Sequence, residues 1–271
     1  MSKIHDFTIL ELKNYLYVIK ENISDVHPIY TNDPLNMYLI LGDCSALLLD
    51  TGCGLSPLKP IVEEIIADRE LIVVNSHTHW DHVLGNEEFE EVYVHEKEAH
   101  RISQSYDVSY FQDSPNKEVV KKYGNQDFLI PPAKIIKIFK DQHEFDLGRL
   151  KVKIIHCPGH SPGSICLFTS KKELFTTDVA YYGDIFLPKR QAFSQVLETL
   201  AKLIEICKSK NIKELFPSHR KSPCDVNLLI DLRSAIKNIE KMWDTRISSD
   251  FFNAWIIGEM TDTFRFIISK F

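Results

Sequence analysis

The sequence predicts an α/β protein folded as a single domain over residues 1–271, and three observations lead to that prediction. The 271 residues are 44% hydrophobic and 26% charged, which is ordinary for a chain that buries a sizeable core. Short runs rich in Val, Ile and Leu alternate with stretches of helical spacing, as they do in α/β proteins. The composition shows no shift that would mark a linker between domains.

The first part of the chain is rich in predicted strands, over 15–19, 36–41 and 46–50. The Gly42-Asp43 pair between the last two indicates a hairpin turn. Pro57 and Pro60 then indicate the start of a helix, because proline is tolerated in the first helical turn. The continuous apolar run 71–75 predicts a strand buried on both faces. A strand over 92–94 and a short helix over 96–102 follow.

Residues 104–133 differ from the segments around them. They combine Tyr106, Tyr110 and Phe111 with mixed charge and with prolines at 115, 131 and 132. Two interpretations are open. The segment is either an excursion that covers a functional site without joining the core, or a surface connection with one helix near 116–123.

The second part of the chain repeats the strand-rich pattern. We predict strands over 135–139, 151–155, 164–168, 173–176 and 214–217. Apolar residues at helical spacing predict helices over 193–208 and 226–243. The segment 225–271 is thus expected to hold the second of these helices and a closing strand over 264–271.

Charge and composition argue against several classes of function. Lys and Arg number 32 and Asp and Glu number 38, so the net charge is 32 − 38 = −6, which argues against a broad nucleic-acid surface. The longest apolar run is far short of the ~20 residues of a membrane span. The N-terminus lacks the apolar core of a secretory signal. Six cysteines are scattered without a CxxC pair, so we expect reduced thiols in a cytoplasmic protein.

Four candidate metal ligands follow the predicted strand at 71–75. His77 and His79 would point the same way on a strand, because side chains alternate with period two. Asp81 and His82 come at the turn into a helix and can reach a second point nearby. Imidazole and carboxylate are good ligands for Zn²⁺ and also suit iron or manganese. The spacing therefore predicts a metal site at this strand end.

Three later segments have the same form, in which an apolar strand is followed by a turn that carries a candidate ligand. They present His160, Asp178 and His219, in turns that Gly, Pro or Asp favours. Each of them, taken alone, is equally well explained as a capped turn or a loop residue. His156, four residues before His160, is a competing candidate.

Together these segments resemble the metallo-β-lactamase-fold superfamily. The run 77–82 matches the superfamily's HxHxDH signature, Asp50 resembles its first motif, and His160, Asp178 and His219 resemble its third, fourth and fifth. The resemblance implies a four-layer αβ/βα sandwich in which two mixed β-sheets are flanked by helices. His160 is preferred over His156 because it occupies the superfamily position between Gly159 and Ser161.

The resemblance also implies two divalent metal ions, with Zn²⁺ favoured over Fe or Mn, and it implies their ligands. One ion would bind His77, His79 and His160, the other would bind Asp81, His82 and His219, and Asp178 would bridge the two. Asp50 would orient a ligand histidine by hydrogen bonding. A hydroxide between the two ions would attack an acyl carbonyl, and either Asp81 or the metal-bound leaving group could take up the proton afterwards.

The motifs narrow the substrate only in part. Asp178 stands where class B1 β-lactamases have Cys. The runs 50–55, 158–167 and 178–183 resemble the metallo-β-lactamase domain-containing protein 2 branch, which is associated with acyl-CoA thioester hydrolysis. Tyr181 resembles the tyrosine that holds a carbonyl oxygen in quorum-signal lactonases, although packing explains it equally well.

We therefore predict a dinuclear hydrolase of small-molecule thioesters, esters or lactones, with weak β-lactam hydrolysis as a side activity. Arg220-Lys221 or Lys189-Arg190 could bind an anionic tail of the substrate, although a solvated surface pair is the commoner role. The alternatives are a phosphodiesterase or nuclease of the same fold, a mononuclear iron persulfide dioxygenase, and a metal-stabilised binding module. The oligomeric state is left open.

Overall fold

The computed structural model describes residues 7–271. The chain divides into two compact units, of which the first ends at Ile154 and the second spans Ile155–Phe271. Each unit has a hydrophobic core of its own. The prediction of a single domain stays a prediction.

Unit 1 combines strands with short helices, and one helix follows each of the strands β4, β5, β6 and β7 in chain order. The strands are β1 (Thr8–Lys13), β2 (Leu16–Glu21), β3 (Leu35–Leu41), β4 (Ser45–Leu49), β5 (Glu70–Val74), β6 (Glu91–His95), β7 (Tyr106–Asp107), β8 (Leu129–Ile130), β9 (Ile135–Phe139), β10 (Glu144–Asp146) and β11 (Lys151–His156), within which the division between the units falls. The helices are α1 (Lys59–Ile66), α2 (Trp80–Val83), α3 (Ala99–Ile102) and α4 (Lys117–Gly124).

A seven-stranded mixed sheet forms the centre of unit 1. Its strand order is β1-β2-β3-β4-β5-β6-β9, antiparallel from β1 to β4 and parallel from β4 to β9. The predicted hairpin at Gly42-Asp43 is confirmed between β3 and β4. Because parallel strands end at one edge of a sheet, the residues that follow β4 and β5 lie close together, which places Asp50 beside Ser76.

The strand before the histidines differs from its prediction. Only the carboxyl end of β5 is buried, whereas Leu71 and Ile72 are half-buried, so the strand is not covered along its whole length. It also ends at Val74, and His77 and His79 lie in the loop that follows it. The expectation that they share one side of a strand was therefore wrong. The turn begins where the backbone N–H of Ser76 donates to the Asp50 carboxylate instead of to a neighbouring strand.

Residues 104–133 contain the expected helix, but they also join the core of unit 1, which neither interpretation expected. The helix expected near 116–123 is confirmed as α4, which begins at Lys117 with the Asn116 side chain capping the N–H of Glu118. The segment is not merely superficial, because it contributes to the core of unit 1. Its buried members are Val108, Phe111, Val119, Tyr123 and Ile130.

Unit 2 holds two sheets and the two long helices. Its strands after β11 are β12 (Ile165–Thr169), β13 (Leu174–Thr177), β14 (Gly183–Leu187), β15 (Glu214–Pro217), β16 (Cys224–Asp225), β17 (Ile247–Ser249), β18 (Ala254–Ile257) and β19 (Phe264–Ser269). Its helices are α5 (Phe193–Lys210) and α6 (Asn227–Met242). Within unit 2, one sheet has the order β12-β13-β15-β16 and the other β14-β19-β18-β17. Strands β10 and β11 pair in antiparallel orientation.

The helices of unit 2 agree with the sequence prediction to within two residues. Both bury one apolar stripe against the core, and α5 ends where Asn211 takes a left-handed conformation (φ 54°). The closing strand is confirmed as β19, but its partners β14 and β18 were not predicted. Strand β14 begins at a glycine (φ 122°) and pairs in parallel with β19, which is remote in sequence.

No helix among the described residues is long and apolar enough to cross a membrane. The six cysteines all lie in the described part of the chain and are free thiols. Cys44 is exposed and the other five are buried.

Candidate metal centre

Unit 1 gathers four of the predicted ligands at the carboxyl end of β5. His77 and His79 lie in the loop after the strand, and Asp81 and His82 lie in the first turn of α2. The ring centroid of His77 is 4.6 Å from that of His79 and 4.2 Å from that of His82. Asp81 Oδ2 is 3.6 Å from His82 Nε2. These side chains form a compact cluster of imidazole and carboxylate groups.

Asp50, the residue that follows β4, orients two histidines of this cluster. Its backbone is in the left-handed region (φ 66°), and its side chain is fully buried. Oδ2 accepts hydrogen bonds from His82 Nδ1 at 2.8 Å and from the Ser76 hydroxyl at 2.7 Å, while Oδ1 accepts from Ser76 N–H. Ser76 Oγ lies 3.0 Å from His77 Nδ1. Asp50 therefore holds the Nδ1 edge of His82 directly and that of His77 through a hydroxyl.

A second buried carboxylate contacts the loop at Thr78. Glu98 is 1% exposed and accepts a short hydrogen bond from the hydroxyl of Thr78, the residue between His77 and His79. The carbonyl of His82 accepts from the N–H and the hydroxyl of Thr51. The loop is thus held to the strand end by side chains as well as by backbone.

Unit 2 carries a second cluster, formed by His160, Asp178 and His219. His160 follows β11, Asp178 follows β13 and His219 follows β15. Asp178 Oδ2 lies 3.6 Å from His160 Nε2 and 3.4 Å from His219 Nε2. All three side chains are buried, and the carboxylate lies between the two rings.

The turn that carries His160 explains why this histidine, and not His156, belongs to the cluster. His160 Nδ1 lies 3.1 Å from the carbonyl oxygen of Phe186, which leaves Nε2 on the side of Asp178. Gly159 before it has a φ of 151°, and a Cβ there would meet Val196 at 3.2 Å. His156 Nε2 instead lies 2.9 Å from the carbonyl oxygen of Pro162.

The donor set fits divalent cations. The three carboxylate–imidazole pairs named above are separated by 3.4–3.6 Å, too far for a good hydrogen bond. Two ligand atoms each about 2.1 Å from one tetrahedral cation are roughly 3.4 Å apart. His77, His82 and His160 also have Nδ1 beside an oxygen atom, and this arrangement presents Nε2 to a metal. Each cluster therefore consists of groups that could bind a metal ion.

The two predicted substrate residues are in unit 2 as well. Tyr181 is fully buried, its ring centroid is 5.1 Å from that of His219, and its hydroxyl donates to the Asp184 carbonyl at 2.6 Å. Arg220 directly follows His219 and has a left-handed backbone (φ 59°). Arg190 is paired with Glu240 and stacks 4.5 Å over Trp243, so its charge is already neutralised.

Sequence reasoning missed the groups that support the ligands. Ser76, the carbonyl of Phe186 and the Thr78–Glu98 pair are not marked by any spacing that the motifs share. Glu98 could have been found only by asking which carboxylate stays buried near the loop, and burial is not visible in the sequence.

Residues 30–219 match the Metallo-beta-lactamase superfamily, and the chain belongs to it. The chain is 30% identical to acyl-coenzyme A thioesterase MBLAC2 of Homo sapiens over 205 residues, 68% of this chain and 72% of that protein. It is 26% identical to the protein of the same name from Gallus gallus, over 81% of this chain and 82% of that protein. A metallo-beta-lactamase from Pontibacter korlensis has a similar structure, with a TM-score of 0.60 and 15% identity over 86% of this chain and all of that one.

These comparisons confirm the predicted fold class and the predicted class of enzyme. The chain has the metallo-β-lactamase fold, with mixed sheets and flanking helices, and it is a hydrolase of that superfamily. The fold implies binding of divalent metal, and the His and Asp clusters supply suitable ligands.

Proposed function

We propose that this protein is a dinuclear metal-dependent hydrolase of small-molecule acyl thioesters. The observation that carries the proposal is the spacing of 3.4–3.6 Å between carboxylate and imidazole in both clusters. In addition, Nδ1 of His82 and Nδ1 of His160 each lie within hydrogen-bond distance of an oxygen atom, which leaves Nε2 for a metal ion. The name of the human and chicken relatives supports a thioester over other acyl compounds.

The ligand sets are part of this proposal. One ion would be held by His77, His79 and His160 and the other by Asp81, His82 and His219, with Asp178 shared between the two. The donor set of imidazoles and carboxylates suits Zn²⁺ first, and Fe or Mn as alternatives.

Bound ions would supply a water nucleophile of lowered pKa and would polarise the acyl carbonyl. The chain's own residues have separate tasks. Asp50 keeps His82 in one orientation, and Glu98 restrains the loop of His77 and His79 through Thr78. Asp81, at the start of α2, would take the proton of the attacking water and pass it to the leaving thiolate.

Two predicted substrate contacts stay predictions. Tyr181 would have to exchange its hydrogen bond with the Asp184 carbonyl for one with a substrate carbonyl. Arg220 would bind an anionic tail of the substrate. Cytoplasmic location is likewise a prediction.

The proposal is tested by metal analysis combined with a substrate panel. We expect about two metal ions per chain and hydrolysis of acyl thioesters in preference to lactones, β-lactams and bis-aryl phosphates. His79→Ala should abolish turnover, whereas His156→Ala, a histidine outside the clusters, should retain it.

Other results would overturn the proposal. Preferred cleavage of phosphodiesters or of RNA would indicate a phosphodiesterase. One iron per chain with oxygen consumption on a persulfide would indicate a dioxygenase, and two bound metals without turnover of any substrate would indicate a binding module.

A further inference from the structure

Several aromatic side chains lie close to one another next to the candidate metal ligands of unit 1. Trp80 lies between His79 and Asp81 in the chain and is half-buried. Its ring centroid is 4.8 Å from that of Tyr30 and 5.1 Å from that of Phe111. Phe111 is buried and packs at 4.6 Å against Tyr110, whose side chain is 40% exposed. We use the term aromatic surface for Tyr30, Trp80, Tyr106 and Tyr110.

Tyr30, Trp80 and Tyr106 are partly buried and pack against the core of unit 1, to which Phe111 belongs. Asp81 contributes to raising the pKa of the Tyr30, Tyr106 and Tyr110 hydroxyls, although burial is the larger cause for each. The pKa of Tyr106 is raised to about 12. All three phenols are therefore neutral across the physiological range.

The rings of this surface favour an apolar ligand. An uncharged apolar group would gain contact area with Tyr30, Trp80, Tyr106 and Tyr110.

The strand that pairs with the strand of Tyr106 adds an exposed apolar residue. Leu129, which pairs with Asp107 across the β7–β8 ribbon, is 48% exposed. Exposed apolar residues grouped beside candidate ligands are typical of a ligand-binding surface.

We propose that Tyr30, Trp80, Tyr106 and Tyr110 bind an uncharged, apolar acyl group of the substrate and so determine which acyl chains are hydrolysed. The proposal rests on the proposed thioester hydrolysis and assigns to it the acyl half of the substrate.

A binding experiment tests the surface without requiring turnover. The zinc-loaded protein is titrated with S-octyl-N-acetylcysteamine and with S-ethyl-N-acetylcysteamine, followed by calorimetry. We expect the octyl thioether to bind at least tenfold more tightly than the ethyl one. Tyr110→Ala should reduce this ratio to below threefold, and Tyr110→Phe should preserve it because the ring remains.

A matched control removes a tyrosine from outside the surface. Tyr17 lies on β2, is half-buried and donates to Glu11, so Tyr17→Ala should leave the octyl-to-ethyl ratio unchanged. Equal affinity of the wild type for both thioethers, or an unchanged ratio in a folded Tyr110→Ala protein, would overturn the inference.

Hydrolysis distinguishes this inference from the proposed function. Octanoyl and acetyl thioesters of N-acetylcysteamine should differ in kcat/KM in the same direction as the thioethers differ in affinity. Tight octyl binding without hydrolysis of either thioester would contradict the proposed function alone. Hydrolysis of both at equal kcat/KM, with equal thioether affinity, would contradict the inference alone.

Discussion

Asp50 Oδ2 and His82 Nδ1 lie 2.8 Å apart in a fully buried contact, and the same carboxylate also accepts the N–H and the hydroxyl of Ser76. One side chain thus fixes both the orientation of a candidate ligand and the path of the loop that carries His77. Such supporting partners are nearly as important to a metal site as the ligands.

Asp50→Asn is expected to weaken metal binding by about 10–100-fold, because an amide keeps the shape but loses the charge that holds His82. Competition with a chromogenic zinc chelator measures the effect. Asp43→Asn is the matched control, since Asp43 is solvent-exposed and its carboxylate pairs with Arg149. Equal zinc retention by both variants would contradict the assigned role of Asp50.

Removal of metal is expected to lower the Tm of the wild type. A ligand that binds only the folded state stabilises it by about 4 kcal/mol at a thousandfold excess over its Kd. Thermal unfolding with and without EDTA measures the shift. His160→Ala should reduce this EDTA-dependent shift, whereas His156→Ala should show the full wild-type shift. A full shift in His160→Ala would remove His160 from the ligands.

Gly85→Ala is expected to destabilise the protein by about 1–3 kcal/mol, because overpacking a rigid contact forces the backbone to move. A Cβ at position 85 would lie 2.2 Å from the carbonyl oxygen of Thr51, the residue that binds the carbonyl of His82. Urea denaturation measures the loss.

Gly124→Ala provides the comparison for that variant. Gly124 ends α4, and a Cβ there would meet Phe128 only at 3.5 Å, an ordinary contact. Its stability should stay within about 0.5 kcal/mol of the wild type. Similar losses in the two variants would show that the approach of Gly85 to Thr51 is not tight.

Thiol reactivity is expected to separate Cys44 from the buried cysteines. Only the thiolate reacts, and burial raises the pKa of Cys53 and Cys166, and that of Cys207 to about 11. At pH 8 these thiols stay protonated, so a disulfide reagent should modify one thiol per chain rapidly. Cys44→Ser should abolish this fast phase. A second fast equivalent in native protein would contradict the burial of the others.

Local signals explain what the sequence could predict. The ligand segments are short, and each follows an apolar run that became a strand, as 214–217 became β15 before His219. The hairpin at Gly42-Asp43 and helices α5 and α6 are also local features.

Long-range pairing explains what the sequence could not predict. Strand β14 exists because it pairs with β19, about eighty residues later, and β1 is an edge strand whose residues are largely exposed. The loop at His77 and His79 leaves the sheet because Asp50, 26 residues earlier, binds Ser76. The core role of residues 104–133 likewise depends on contacts such as the Tyr123 hydroxyl with the carbonyl of Cys53.

Position 50 places two demands on one residue. The left-handed backbone there is a conformation in which glycine costs nothing and other residues are disfavoured, yet only a carboxylate can accept from both His82 and Ser76. A glycine at position 50 would relax the main chain, but it would remove the carboxylate that accepts hydrogen bonds from His82 and Ser76. Engineering for heat resistance must therefore leave this residue alone and seek its gains at a distance from the histidine loop.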